Sequence, residues 1–233
     1  MEYINSGFAN KIDIGNKLFP IFLKLEKLKV LIVGGGNVAL EKLNAVLGNS
    51  PDTDVVVVAP EITSQIQELS LKHHNLKIKN RIFFPGDLFN VDIVIAATTD
   101  RDINKIIKDE AKKREILVNV ADTPELCDFY LGSIVNRGDL KIAISTNGKS
   151  PTMAKRIKEV LNDVIPNETQ NVLDNLEAIR KKLNGNFSNK VKRLNEITSM
   201  LAVENNLHAL QPHLAREDER SKYKQVKYWI IYS

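Results

Sequence analysis

The chain has 233 residues, of which 43% are hydrophobic and 27% charged, and its formal net charge is +4. These values are ordinary for a soluble globular protein, and the length is sufficient to bury a core. The mildly basic balance suits an anionic small molecule as well as nucleic acid. The single cysteine, Cys127, excludes a disulfide within the chain and favours a cytoplasmic location. With no signal peptide and no long apolar stretch in view, we expect no membrane partner.

Buried strands alternate with helices over the first half of the chain. The runs 30–33 and 55–58 are continuous and rich in β-branched residues, which is typical of strands buried on both faces of a sheet. The predicted strands are 30–33, 55–58, 76–84, 91–97 and 116–120, and the predicted helices between them are 38–47, 62–71 and 100–114. This alternation predicts an α/β fold with a Rossmann-type parallel sheet.

The pattern changes after Asp122. Residues 133–145 predict a β-hairpin that turns at 136–139. Helical periodicity then runs from Pro151 to about Ala202, with interruptions at Pro166 and at 184–186, and a polar tail follows from His208. We therefore expect a C-terminal helical domain after the sheet and hairpin. Residues up to Asn16 are interpreted as a loose leader.

A glycine motif follows the first predicted strand. Gly34, Gly35 and Gly36 open the sequence G-x-G-x-x-A, which ends at Ala39 and leads into a helix. Gly34 permits a tight turn, Gly36 lets the backbone approach a diphosphate, and the small Ala39 allows close packing of helix on strand. The helix N-terminus then offers N–H groups to phosphate. In this strand–turn–helix context the motif predicts dinucleotide binding, although a glycine turn that binds nothing is the alternative.

An acidic residue after the second strand is expected to bind the ribose of the dinucleotide. Glu61 fits approximately, while Asp54 has a more typical sequence distance but lies at the wrong end of its strand. Glu61 is equally compatible with a structural place in the first turn of a helix. No arginine or lysine lies between Ala59 and Gln65, which favours NAD over NADP.

Polar residues follow the fourth and fifth strands, on the ligand side of a parallel sheet. Thr98 and Thr99 are candidate cofactor contacts, and Thr99 or Asp100 is equally a helix cap. Asp122 is a candidate proton acceptor beside the nicotinamide, although its spacing alone favours a turn residue. Further candidates lie in the loop before Pro151, where Thr146, Lys149 and Ser150 offer hydrogen bonds and a positive charge, or simply shape the loop. The four histidines show no metal-ligand spacing, so no metal site is predicted.

Six blocks of sequence, in order, resemble the precorrin-2 dehydrogenase and sirohydrochlorin ferrochelatase family, which includes the N-terminal module of siroheme synthases. The most specific are VNVADTPELCDF at 118–129 and ISTNGKSP at 144–151; the others are FPIFL at 19–23, VGGGNVA at 33–39, VAPE at 58–61 and IAATTD at 95–100. Together they extend over roughly residues 18 to 165.

The resemblance implies oxidation of precorrin-2 to sirohydrochlorin with NAD, with ferrous iron as a substrate in members that also make siroheme. It implies that Asp122 is catalytic and that Asn37, Val38, Glu61 and Ile62 contact NAD. It also implies a tetrapyrrole near 145–150 and a homodimer formed through 133–145. The expected domains are 1–122 for NAD binding, 123–150 for dimerisation and the active site, and 151–233 for the helices.

Two other functions remain open from the sequence. One is an NAD(H)-sensing regulator without catalysis, although the C-terminal helices lack a dense basic recognition face, so no nucleic-acid partner is expected. The other is a chelatase that inserts iron or cobalt without using NAD.

Overall fold

The computed structural model describes residues 15–183 and 187–198. These residues belong to two compact units: residues 15–136 and 141–164 form the first, and 137–140 with the described residues from 165 onward form the second. Most of the expected leader, the interruption at 184–186 and the tail from His208 lie outside the described residues. The domain boundaries expected near residues 122 and 150 stay predictions.

A parallel sheet of five strands forms the centre of the first unit. Its strands are β1 Lys29–Val33, β2 Asp54–Ala59, β3 Leu76–Asn80, β4 Ile93–Ala96 and β5 Leu117–Val120. Their order is β3-β2-β1-β4-β5, and each neighbouring pair is parallel. The order reverses at β1, and open sheets of this kind leave a crevice at the carboxyl ends of the strands there. The predicted Rossmann-type α/β fold is confirmed.

The central strands of this sheet are buried on both faces. Helix α1 Asn37–Asn49 connects β1 to β2, α2 Ser64–Lys72 connects β2 to β3, and α3 Arg101–Lys112 connects β4 to β5. Leu31 packs in a cluster with Ile107 of α3, whereas its neighbour Ile32 packs in a second cluster with Leu43 of α1 and Ile66 of α2. Successive side chains of a strand point to opposite faces, so a central strand covered on both sides needs a continuous apolar run.

The third strand is shorter than its sequence pattern predicts. The alternation extends to Phe84, but β3 ends at Asn80, which pairs with Ala59 at the end of β2. The residue after β2 is Pro60, which has no N–H to donate. The hydrogen bonding between β2 and β3 therefore ends there. The prediction of strand for 81–84 is therefore wrong.

A buried carboxylate, Asp87, holds the segment after β3 in place. Only 3% of its side chain is exposed. It accepts hydrogen bonds from Nη1 of Arg81 (2.7 Å), Nζ of Lys79 (3.1 Å) and the backbone N–H of Phe84 (3.0 Å). These donors, the Arg81 guanidinium foremost, hold the pKa of Asp87 well below its ordinary value of 3.8 even though burial opposes this.

Asp87→Asn is expected to lower the free energy of unfolding by about 2 kcal/mol at pH 7, because it leaves two cations without their buried carboxylate. Since the folded pKa is depressed, this contribution is complete at neutral pH and declines as the pH falls below about 4. Urea unfolding of both proteins at pH 7 and pH 3 measures it. A gap between the two proteins that is as large at pH 3 as at pH 7 would contradict the assignment.

The hairpin and the later helices follow the sheet. Strands β6 Ser133–Arg137 and β7 Leu140–Ile144 form a two-stranded sheet, and α4 runs over Pro151–Val164, beginning at the predicted proline. In the second unit, α5 is Thr169–Lys182 and α6 is Phe187–Thr198, so the predicted break at Pro166 is confirmed. Among the helices that the structure describes, none is long and apolar enough to cross a bilayer.

Candidate functional site

A cleft of about 700 Å³ lies at the carboxyl edge of the sheet. Its walls are the segments that follow four strands: 34–38 after β1, 60–63 after β2, 82–83 after β3 and 97–100 after β4. Parallel strands bring their carboxyl ends to one edge, which is why segments distant in sequence meet here. The volume falls within the range of small-molecule sites.

The three positions of the turn are glycine for different structural reasons. Gly34 has φ +129°, and a Cβ there would overlap the carbonyl oxygen of Ala97. A Cβ on Gly35 would overlap the carbonyl oxygen of Glu61, so the turn packs directly against the segment after β2. A Cβ on Gly36 would meet no atom of the described residues within 4 Å. The first two glycines therefore serve the fold, whereas the space at Gly36 is free for a ligand.

The N-terminus of α1 opens onto this space. Gly36 is the cap residue, and as a glycine it provides no capping side chain; the first turn of α1 carries no acidic residue. Asn37 and Val38, the first two residues of the helix, line the cleft and are exposed, whereas Ala39 is fully buried against the sheet. The positive end of the helix dipole thus faces the cleft, and no acidic side chain of the helix's own first turn would repel a diphosphate there.

The two acidic candidates for ribose binding, Glu61 and Asp54, lie at opposite ends of β2. Glu61 is exposed and lines the cleft, and Ile62 lies beside it, half-buried. Asp54 begins β2 and is level with Lys29, at the opposite edge of the sheet from the cleft. The structure therefore places Glu61, and not Asp54, on the cleft.

Ile82 and Phe83 also line the cleft and were missed by sequence reasoning. They were assigned to a strand whose alternation continues past Asn80. Only the strand order, which puts β3 next to β2, brings their segment beside Glu61. The neighbouring cation Arg81 is paired with Asp87, so its charge is neutralised close to the cleft.

Of the polar residues after β4, Thr98 and Asp100 form hydrogen bonds within the fold, whereas Thr99 faces the cleft. The Thr98 hydroxyl donates to Oδ1 of Asn104 (2.7 Å), and the Asn104 amide donates back to the Thr98 carbonyl (3.1 Å). Asp100 caps α3, accepting from the N–H groups of Asp102 (2.9 Å) and Ile103 (3.1 Å), as one sequence interpretation expected. Thr99 is exposed on the cleft.

Asp122 is exposed at the same edge of the sheet, two residues after β5. It is not among the residues that line the cleft. One strand, β4, separates β5 from β1, so the ends of β1 and β5 lie about 10 Å apart across two strand spacings. Its φ of +56° is a left-handed conformation, which aspartate tolerates better than most residues.

The loop that carries Asp122 is fixed at both ends. Before it, the N–H of Ala121 donates to the carbonyl of Ala96 on β4 (2.9 Å). After it, the Cys127 thiol donates to the carbonyl of Val120 (3.2 Å), and the N–H of Asp128 donates to the carbonyl of Val118 (2.7 Å). Burial raises the pKa of Cys127, which keeps this thiol protonated as a donor.

In the loop before α4, the hydroxyl groups of Thr146 and Ser150 form hydrogen bonds with nearby backbone N–H groups. Oγ1 of Thr146 accepts from the N–H of Ser150 (3.2 Å), and Oγ of Ser150 accepts from the N–H of Met153 (3.2 Å), which caps α4. Lys149 is exposed. These three candidates do not line the cleft. In the part of the chain that is described, no three or more His, Cys, Asp or Glu side chains form a metal-binding group.

Two family models match the chain in succession. One is described as putative NAD(P)-binding and matches residues 21–133; the other is described as the central part of sirohaem biosynthesis proteins and matches residues 137–163. The first covers the sheet and the cleft. The second begins at the turn of the hairpin and includes most of α4.

Whole-sequence and structural comparisons agree with these models. Siroheme synthase of Psychrobacter cryohalolentis is 42% identical over 149 residues, which are 64% of this chain and 28% of that protein. Siroheme synthase of Methylobacillus flagellatus is 37% identical over 147 residues, 63% of this chain and 31% of that protein. The chain thus spans about a third or less of these relatives. A solved structure, SirC, precorrin-2 dehydrogenase, superposes with a TM-score of 0.65 at 29% identity, covering 90% of this chain and 99% of that one.

Proposed function

Because this chain belongs to the precorrin-2 dehydrogenase and siroheme synthase family, we propose that it oxidises precorrin-2 to sirohydrochlorin with NAD. The observation that carries the proposal is the cleft, where a glycine turn and an uncapped helix N-terminus face open space. When bound, NAD supplies the hydride acceptor. The chain's own residues hold the cofactor and take up the proton that leaves with the hydride.

The cofactor is proposed to lie along the cleft with its diphosphate over Gly36 and the first turn of α1. Glu61 would accept hydrogen bonds from the hydroxyl groups of the adenosine ribose, and its charge would repel a 2′-phosphate. Ile62 and Ile82 offer apolar surface beside it, while Thr99 is a hydroxyl contact further along the cleft. Thr98 supports this wall through Asn104. We therefore propose NAD, and not NADP, as the cofactor.

Asp122 is proposed to be the catalytic base. Oxidation removes a hydride and a proton from the substrate, and the hydride goes to the nicotinamide, so a group must accept the proton. Asp122 is an exposed carboxylate at the edge of the sheet that also carries the cleft. The tetrapyrrole would lie across this edge, where it meets both the cofactor and Asp122.

The substrate carries several carboxylates, and Lys149 is proposed to bind one of them. Its exposed ammonium can form a charge-assisted hydrogen bond. Thr146 and Ser150 are proposed to present Lys149 by holding the loop in shape through their bonds to one another and to α4. In this proposal, Thr146 and Ser150 therefore act on substrate binding only through the position of Lys149.

The test is an assay with the purified chain, precorrin-2 and NAD. NADH and the absorbance of sirohydrochlorin are expected to appear together, and NADP should support a much slower reaction. Tight NAD binding without turnover would favour the regulator interpretation instead. Addition of ferrous iron to the product then tests iron insertion separately, since iron is a substrate of that second reaction and not a resident cofactor.

We also propose that the chain forms a homodimer through the hairpin of β6 and β7. A two-stranded sheet is marginal alone, and in the described residues this hairpin has no third strand. Helix α4 adds a second apolar surface, since Met153, Ile157, Val160 and Val164 recur at helical spacing and are each 38–47% exposed. Exposed apolar stripes of this kind are typical of protein interfaces.

Ile157→Lys combined with Val160→Lys is expected to convert the dimer to monomer, because it places two charges in the apolar stripe. Light scattering after size-exclusion chromatography measures the mass. Lys155→Ala, an exposed position on another side of α4, is the matched control and should stay dimeric. A wild-type protein that is monomeric at micromolar concentration would contradict the proposal.

A further inference from the structure

The hydroxyl group of Thr63 lies at the edge of the cleft. Its Oγ1 is buried and has no hydrogen-bond partner among the residues that the structure describes. Thr63 itself is half-buried and lines the cleft. It precedes α2, yet its side chain does not cap that helix. A buried hydroxyl without a bond is destabilising, so its presence calls for a role outside the ligand-free fold.

The backbone holds Thr63 against the glycine turn. Its N–H donates to the carbonyl of Gly35 at 3.0 Å, and Gly35 in turn packs on the carbonyl of Glu61. Thr63 therefore lies against the turn that would hold the diphosphate, two residues after the glutamate that would hold the ribose. A rotation of about 120° about the Cα–Cβ bond moves the hydroxyl into another staggered position, and the methyl and hydrogen move round with it.

We propose that Thr63 is a cofactor-binding residue whose hydroxyl turns into the cleft and hydrogen bonds to the sugar-phosphate of the adenosine half. This inference rests on the proposed function, because it takes NAD as the ligand of the cleft. The rotation breaks no internal hydrogen bond, so the bond to the cofactor is gained without a corresponding loss. Ligand binding thus satisfies a polar group that the empty fold does not.

Thr63→Val removes the hydroxyl and keeps the shape of the side chain. We expect the Kd for NAD, measured by calorimetry, to rise about 10-fold. ADP-ribose should lose affinity by the same factor, since it keeps the adenosine half. The Tm of the ligand-free variant should be unchanged or higher, because a methyl replaces an unpaired buried hydroxyl. Thr63→Ser should restore the affinity to within about twofold.

The competing role is a helix cap for α2. It predicts that Thr63→Val lowers the Tm of the ligand-free protein, as loss of a cap does. The inference would be overturned if Thr63→Val lowered the Tm of the ligand-free protein or left the Kd for NAD unchanged. It would also be overturned if Thr63→Ser did not restore the affinity. If the wild-type protein itself binds neither NAD nor ADP-ribose, the proposed function fails. If the wild type binds both and the valine variant binds equally well, only the role of Thr63 fails.

Discussion

Asp122→Asn is expected to lower kcat for precorrin-2 oxidation by at least about 100-fold, the usual contribution of a general base. The amide cannot accept the proton that leaves with the hydride. Asparagine is the suitable replacement because residue 122 has φ +56°, a conformation that asparagine adopts readily and alanine does not. The variant should therefore fold normally, and stopped-flow absorbance of NADH measures its rate.

Glu125→Gln is the matched control for this experiment. Glu125 is an exposed carboxylate in the same loop, three residues further along the chain. It should retain the wild-type rate, which shows that loss of a negative charge in the loop is not sufficient. Both variants should keep the wild-type Kd for NAD, since Asp122 does not line the cleft. An Asp122→Asn protein with full turnover would remove the residue from the mechanism.

Gly36→Val is expected to raise the Kd for NAD by at least about 100-fold, close to 3 kcal/mol. The added side chain meets no protein atom at its Cβ, and the backbone at φ −90° and ψ −166° accepts valine. It instead fills the space in which the diphosphate would approach the backbone. Calorimetry measures the affinity, and an unchanged Tm of the ligand-free protein shows that the fold is intact.

Two other glycines separate the effects of binding and folding. Gly48→Ala lies near the end of α1 in open space, and should raise stability by about 0.5 to 1 kcal/mol without altering the Kd. Gly34→Ala should lower the Tm sharply, because φ is +129° and the new Cβ overlaps the backbone of Ala97. A Gly36→Val protein that binds NAD like the wild type would contradict a diphosphate site on this turn.

Local patterns were sufficient to predict the main elements. The uninterrupted run at 30–33 predicted a strand buried on both faces, and Leu31 and Ile32 do pack in separate clusters on opposite faces. The glycine motif predicted the turn between β1 and α1, since few other residues permit that backbone path. The six sequence blocks predicted the family, because binding and catalysis require particular residues at particular places in the chain.

The sequence by itself determined the alternation of strands and helices and the glycine turn, since each depends on a short stretch of chain. Only the tertiary structure decided which distant segments line the cleft, namely that Glu61 and not Asp54 does so and that Ile82 and Phe83 join it. It also left the buried hydroxyl of Thr63 without a partner among the described residues. It also decided that the hydroxyl oxygen of Thr146 accepts a hydrogen bond within its loop and that of Ser150 accepts one from the first turn of α4. The physical reason is that periodicity encodes which side of an element is buried, whereas strand order and side-chain partners depend on packing between elements far apart in the chain.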